Sequence, residues 1–251
     1  MREQERQHAI RLKLARMESG DHPRVRPAIP TGFGPLDRAL GGGLPRSRIV
    51  EIFGPASSGK TTLLLQTIVH LQSENLAAAW IDADRSFDPA YATQLGVAVD
   101  RLPVAQPDTA EQALEIARQL VGSGAVDLLV VDSAAALVPS LELEAEIGQI
   151  AAGLHGRVLA SGLRRLAASI GRSDAVAVLL NQSRLRPDMG AGEGETSAGG
   201  PALKLHAAVR IAMLGGSGRL IRLHVLKNKA AAGAQDGRLE WLHAGGFAKS
   251  P

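Results

Sequence analysis

The chain has 251 residues, 45% of them hydrophobic and 21% charged, a balance that suits one large α/β domain or two small ones and excludes a disordered protein. Apolar runs such as residues 175–180 fall far short of the roughly 20 residues that cross a bilayer, so no membrane span is expected, and with no cysteine in the chain disulfides and thiolate chemistry are excluded. The net charge of +3 hides a separation: residues 1–30 carry +3, residues 31–150 carry −8 and residues 151–251 carry +8, which points to a polyanion-binding second half.

Residues 1–17 lack the apolar core of a secretory signal, so a cytoplasmic protein is expected. Ile10, Leu14 and Met17 fall on one helical face with Arg6, Arg11, Lys13 and Arg16 around the rest, predicting a short N-terminal amphipathic helix. The three prolines within residues 19–30 stop it and read as a linker, so the first unit is residues 1–30 and the core is residues 31–251. From Thr31 onward apolar runs alternate with helical stretches. Strands are expected over 48–53, 77–82, 128–132 and 175–181, and helices over 61–72, 110–121 and 154–170. Residues 204–214 and 219–227, separated by the glycine-rich 215–218, read as a hairpin, with another strand over 239–242. The fold class expected is α/β, a mostly parallel central sheet with an antiparallel C-terminal extension. Seven scattered histidines show no ligand-pair spacing, and only seven aromatics leave little for base stacking, so any nucleic-acid partner would be held through its phosphates.

The most specific motif is Gly54-x4-Gly59-Lys60-Thr61, preceded by a β-run and followed by a helix-forming run. In a phosphate-binding loop of this kind, Gly54, Pro55, Ala56, Ser57, Ser58 and Gly59 curl so that successive N–H groups face a phosphate. The helix that starts with Lys60, Thr61 and Thr62 adds its positive dipole end. Lys60 is expected to reach the β- and γ-phosphates of ATP and the Thr61 hydroxyl to coordinate Mg²⁺. Four apolar residues followed by Asp132 and Ser133 supply a carboxylate at a neighbouring strand tip, which would hold Mg²⁺ through water. Asp82 and Asp84 end another strand near the same edge, where a group must orient the attacking water.

From Pro30 to about Gly246 the sequence resembles the bacterial RecA recombinase family. The likeness is carried by PTGFGPLDRALGGGLPRSRIVEIFGPASSGKTTL, DPAYATQLGV, QPDTAEQALEIARQLVGSGAVDLLVVDSAAAL, EAEIG, LLNQSR, ETSAGGPALK and LKNKAAA, in the family's order. The resemblance implies a RecA-type phosphate-loop ATPase core that binds ATP with Mg²⁺ between protomers of a helical filament on single-stranded DNA and pairs that strand with duplex DNA. It implies that Asp88 and Tyr91 contact adenine, that Gln182 senses the γ-phosphate, and that Lys227 and Lys229 enter the neighbouring protomer's ATP site. It places DNA contacts in residues 148–157 with the following helix and in residues 183–200, with Arg157, Arg164, Arg184 and Arg186 as phosphate ligands and Gly199 and Gly200 offering N–H groups.

Departures from the family pattern mark where activity is expected to differ. Asp84 stands where the family has the water-activating glutamate, predicting slow turnover by a DNA-dependent ATPase. The loop at 183–198 is poorer in bulky apolar residues, Leu205 replaces an interface phenylalanine, and the separate domain that follows the family's core is expected to be missing. The sequence therefore supports an ATP-dependent recombinase working in recombination, repair and the damage response. Its alternative is a RecA-like accessory protein that binds ATP with little strand exchange. A small-molecule kinase is disfavoured, since no acceptor lid is evident.

Overall fold

The computed structural model describes residues 27–146, 149, 153–185, 195–215, 219–231, 236–242 and 245–248. The expected N-terminal helix and residues 19–26 of its linker lie outside them. In chain order the elements are α1 (Gly34–Leu40), β1 (Arg48–Gly54), α2 (Lys60–Ser73), β2 (Ala78–Asp82), α3 (Pro89–Gln94), β3 (Val104–Ala105), α4 (Ala110–Ser123), β4 (Leu128–Asp132), α5 (Ser140–Glu144), α6 (Leu154–Ile170), β5 (Val176–Leu185), β6 (Glu195–Ser197), α7 (Pro201–His206), β7 (Val209–Gly215), β8 (Leu220–Asn228) and β9 (Gly237–Glu240).

The strands form one sheet in the order β3-β2-β4-β5-β1-β7-β8-β9, with β6 added to β5. Strands β3 through β7 along this path pair in parallel, while β8 and β9 extend the sheet antiparallel and β6 runs antiparallel to β5. This is the mixed architecture the sequence predicts. The inner strands are apolar on both faces because helices cover both. Val50, Ile52, Val130 and Val178 meet α1 and α2 on one face, while Ile49, Val131 and Leu179 meet α4 and α6 on the other. Helix α2 is buried almost all round, from Leu63 to Gln72, so the loop before it rests on a fixed support. Helices α4 and α6 approach closely because Gly162 has no side chain: a Cβ there would sit 3.0 Å from Cβ of Leu114.

Two expectations are corrected. Residues 204–206 are not strand but the end of α7, which starts with Pro201 in its first turn after Gly200, so the hairpin opens at Val209. Strand β5 does not stop at Asn181 but continues to Leu185, because Ser183, Arg184 and Leu185 pair with Ser197, Thr196 and Glu195 of β6.

Candidate functional site

Phosphates in parallel α/β sheets collect at the carboxyl ends of strands, and here β1 ends at Gly54, directly before the glycine-rich loop. Gly54 is required by close approach: a Cβ on it would overlap the carbonyl oxygen of Met213 in β7. Gly59 takes φ 86° and ends the loop at the N-cap of α2, so the first-turn N–H groups of that helix are left for a ligand. Pro55, Ala56 and Ser57 are exposed, and Ser58 is buried. The ammonium of Lys60 donates to the carbonyls of Gly54 at 3.1 Å and Pro55 at 2.7 Å and to the Ser58 hydroxyl at 3.3 Å. Burial lowers its pKa from the ordinary lysine value, and Asp132 works in the opposite direction.

The Thr61 hydroxyl donates to Oδ2 of Asp132 at 2.8 Å, joining the helix to the tip of β4, so the two residues expected to share Mg²⁺ lie side by side. Burial raises the Asp132 carboxyl to about 6; Asp84 and Asp82 push the same way, against the Thr61 hydrogen bond and Lys60. The Ser133 hydroxyl beside it is buried with no hydrogen-bond partner. Two oxygen donors and an orphaned hydroxyl at the phosphate end of the sheet fit a hard divalent cation that completes its shell with phosphate and water. Among the described residues no cluster of three or more His, Asp or Glu forms an all-protein metal cage.

The raised Asp132 pKa has a consequence for stability. The folded chain binds more protons than the unfolded chain between about pH 4 and pH 6, so ligand-free stability falls as pH rises through that window. The cost, on the order of 3 kcal/mol, persists above it. Asp132→Asn is therefore expected to raise the melting temperature at pH 7.5 by about 6–12 °C, with no gain near pH 4. Scanning calorimetry at the two pH values checks this, and a lower melting temperature at pH 7.5 would contradict it.

The two carboxylates of β2 separate. Asp82 is fully buried and accepts from the amides of Ser86 at 2.9 Å and Phe87 at 3.2 Å and from Gln106 at 2.8 Å, so it fixes the following turn. Asp84 lies beyond the strand, exposed, and its carboxylate accepts the Ser86 hydroxyl at 2.7 Å. Its effect on the Asp132 carboxyl places it within electrostatic reach of the loop. Asp88 caps α3 by accepting from the amides of Ala90 and Tyr91, and the Tyr91 hydroxyl sits 2.8 Å from the hydroxyl of Thr62 on α2. Gln182 is paired with Gly54 in the β1–β5 register, exposed at the root of the loop.

Lys227 and Lys229 are not near their own phosphate loop. Through β7, Lys227 is level with Glu51, three residues before Gly54. Its ammonium donates to the carbonyls of Lys204 at 2.7 Å and Leu205 at 3.3 Å at the end of α7; burial lowers its pKa, as do Lys229 and Arg210. Lys229 is exposed.

A cleft of about 620 Å³ opens between α6, β5 and α7, and Arg157, Arg164, Arg184, Gly199 and Gly200 all line it. Five of the six residues expected to contact DNA thus come together from three elements; Arg186 lies outside the described residues. His155 and His206 also line the cleft, and the sequence does not single them out. Burial lowers the His206 pKa from its ordinary value, and Arg164 and Lys227 lower it further.

Nothing in the sequence signals the C-terminal contact beneath the phosphate loop. Gln66 of α2 clamps Phe247, accepting its amide at 2.7 Å and donating to its carbonyl at 3.2 Å. The Phe247 ring meets Phe33 and Trp241 edge-on. A Cβ at Gly59 would lie 2.6 Å from it.

A curled loop at the end of an inner parallel strand, a lysine-bearing helix start and a carboxylate on the next strand but one define a phosphate-loop nucleotide-binding protein of the α/β type. A family model for the RecA N-terminal domain matches residues 12–248. The chain is 47% identical to Protein RecA of Thioalkalivibrio sulfidiphilus over 249 residues, 94% of this chain and 73% of that one. It is 46% identical to Protein RecA of Acidiphilium cryptum over 94% of this chain and 72% of that one, and 46% identical to Protein RecA of Methylococcus capsulatus over 93% and 71%. The chain belongs to the RecA family, and its function lies in DNA recombination and repair.

Proposed function

We propose that the chain is a cytoplasmic, DNA-dependent ATPase that uses ATP to control its grip on single-stranded DNA, assembles on that strand as a helical filament and pairs it with duplex DNA. The observation that carries this reading is strand β5: Gln182 lies beside Gly54 at the phosphate loop, and Arg184, two residues on and on the same face, lines the arginine cleft. A change at the γ-phosphate needs to move only one short strand segment to reach the polynucleotide.

In this reading the loop amides and Lys60 hold the triphosphate, Thr61 and Asp132 hold Mg²⁺, and Tyr91 and Asp88 face adenine. The cation would supply charge neutralisation at the phosphates. Asp84 orients the attacking water from an exposed position. One methylene shorter than glutamate, it withdraws the carboxylate by about 1.5 Å, and a misplacement of that order costs roughly a hundredfold in rate. Asp84→Ala is expected to remove the remaining DNA-stimulated hydrolysis and Asp84→Glu to raise it about tenfold or more; an unchanged rate in the alanine variant overturns the assignment. Lys227, level with Glu51 rather than with its own loop, and Lys229 just beyond it act on the neighbour's site, while Leu205, 71% exposed, contributes to the contact between protomers.

The test is fluorescence anisotropy of a labelled oligo(dT) over a salt series with ATPγS, beside ATP hydrolysis with and without the oligonucleotide and electron microscopy of the complexes. Replacing Arg157, Arg164 and Arg184 together by alanine is expected to flatten the log–log salt slope by about 2, near 0.7 for each phosphate that the variant no longer neutralises. An unchanged slope removes the cleft from the reading. Nucleotide binding with neither stimulation nor filaments supports the accessory role instead.

A further inference from the structure

Glu51 stands in the middle of β1, three residues before Gly54, with no solvent exposure. A carboxylate there is costly unless every lone pair is met, and its two oxygens divide between two neighbouring strands. Oε2 accepts from Nε of Arg210 in β7 at 2.5 Å, and Oε1 accepts from Nδ2 of Asn181 in β5 at 3.0 Å. Both partners reach further. Arg210 donates to the Ser197 hydroxyl of β6 at 3.1 Å and lies over the Phe53 ring with its guanidinium carbon 5.1 Å from the centroid. Asn181 also donates to the Ala198 carbonyl at 3.0 Å and accepts the Gln182 amide at 2.9 Å.

The network therefore grips both sides of the route between the two sites. On one side are β1, which runs into the phosphate loop, and Gln182 at its root. On the other are Ser197 and Ala198, which lead directly into Gly199 and Gly200 of the cleft wall. The Arg210 side chain is 12% exposed, so the pair is sheltered from solvent and salt. Apolar side chains of similar volume would serve stability as well or better, which leaves a positional role as the reason for a charged pair here.

We propose that Glu51 and Arg210 are positioning residues that transmit occupancy of the nucleotide site to the polynucleotide cleft by fixing β6 and its outgoing segment to β1. The proposal rests on the function proposed above. Because coupling between two binding sites is reciprocal, it has a signature that a purely structural role lacks. Nucleotide must tighten oligonucleotide binding, and oligonucleotide must tighten nucleotide binding, by one shared factor that disappears with the pair.

The experiment uses the full chain, labelled oligo(dT) and a fluorescent ATP analogue that resists hydrolysis, each titrated with and without the other ligand. In the wild type the factor is expected to be about tenfold or more, within the usual span of such couplings. Glu51→Gln keeps the shape and removes the charge. The double variant Glu51→Leu with Arg210→Met removes both charges and leaves no buried ion without a partner. Circular dichroism and thermal unfolding establish which of them folds. The expected result is that each ligand alone binds within about threefold of wild type while the factor falls to about one in both directions. A folded variant that keeps the wild-type factor overturns the proposal, and so does failure of both variants to fold, which makes the pair structural. A factor of one in the wild type is a different outcome, because it sinks the coupling between the two sites and the proposed function with it.

Discussion

Lys60→Ala is expected to lower ATP hydrolysis by about a hundredfold to a thousandfold, the loss that follows removal of one preorganised donor at a reacting group. It is also expected to leave oligonucleotide binding at saturating nucleotide no tighter than without nucleotide. The reason lies in the partners of the ammonium within the loop. It bridges the carbonyls of Gly54 and Pro55 and the Ser58 hydroxyl, so it is held at the mouth of the loop by neutral acceptors. Those acceptors are weaker partners than phosphate oxygens, and burial already disfavours the charge. A triphosphate therefore takes the lysine over at small cost, and alanine has nothing to offer in exchange. Hydrolysis assays and anisotropy titrations check the two halves separately. Nucleotide-dependent DNA binding that survives in the alanine variant would falsify the coupling of the two sites through this loop.

Gly54→Ala is expected to be among the most damaging single methyls in the chain, costing about 3 kcal/mol or more and lowering the melting temperature by about 6–12 °C. The added Cβ meets backbone, since the carbonyl of Met213 stands where it would go. That carbonyl cannot retreat freely, because β7 is held between β1 and β8, with Phe53 opposite Ala212 and Met213 opposite Leu223. The same methyl would lie 3.0 Å from the Ser58 hydroxyl, so the loop is disturbed together with the sheet. Gly156 supplies the contrast: it lies inside α6, a Cβ there meets nothing within 4 Å, and alanine is expected to be neutral or to stabilise by up to about 1 kcal/mol. Thermal melts of both variants decide the matter. Equal effects at the two positions would refute the close-approach argument.

Local chemistry determined much of this protein from the sequence alone. The spacing of glycines before Lys60 requires a curled loop between a strand and a helix, and that is where the loop lies. The helix expected over 154–170 is observed with those bounds, because its apolar residues repeat at helical spacing and Gly171 follows. Asp132 at the end of an apolar run marks a strand tip, and its partner Thr61 is a residue the loop motif names. Residues 204–206 read as strand because three residues of mixed polarity carry no period, although Gly200 and Pro201 just before them are a helix-start signal.

Tertiary structure alone decided which remote segments meet. Glu51 and Arg210 are 159 residues apart and Gln66 and Phe247 are 181 apart, and neither pairing leaves a trace in local composition or period. A glutamate in an apolar strand gives no local sign of its partners, which Asn181 of β5 and Arg210 of β7 supply only once those strands flank β1 in the sheet. The addition of β6 to β5 and the gathering of Arg157, Arg164 and Arg184 into one cleft have the same origin. Backbone propensity acts over a few residues, whereas burial of charge and shape of a cleft are set by whichever strands and helices the folded sheet brings side by side.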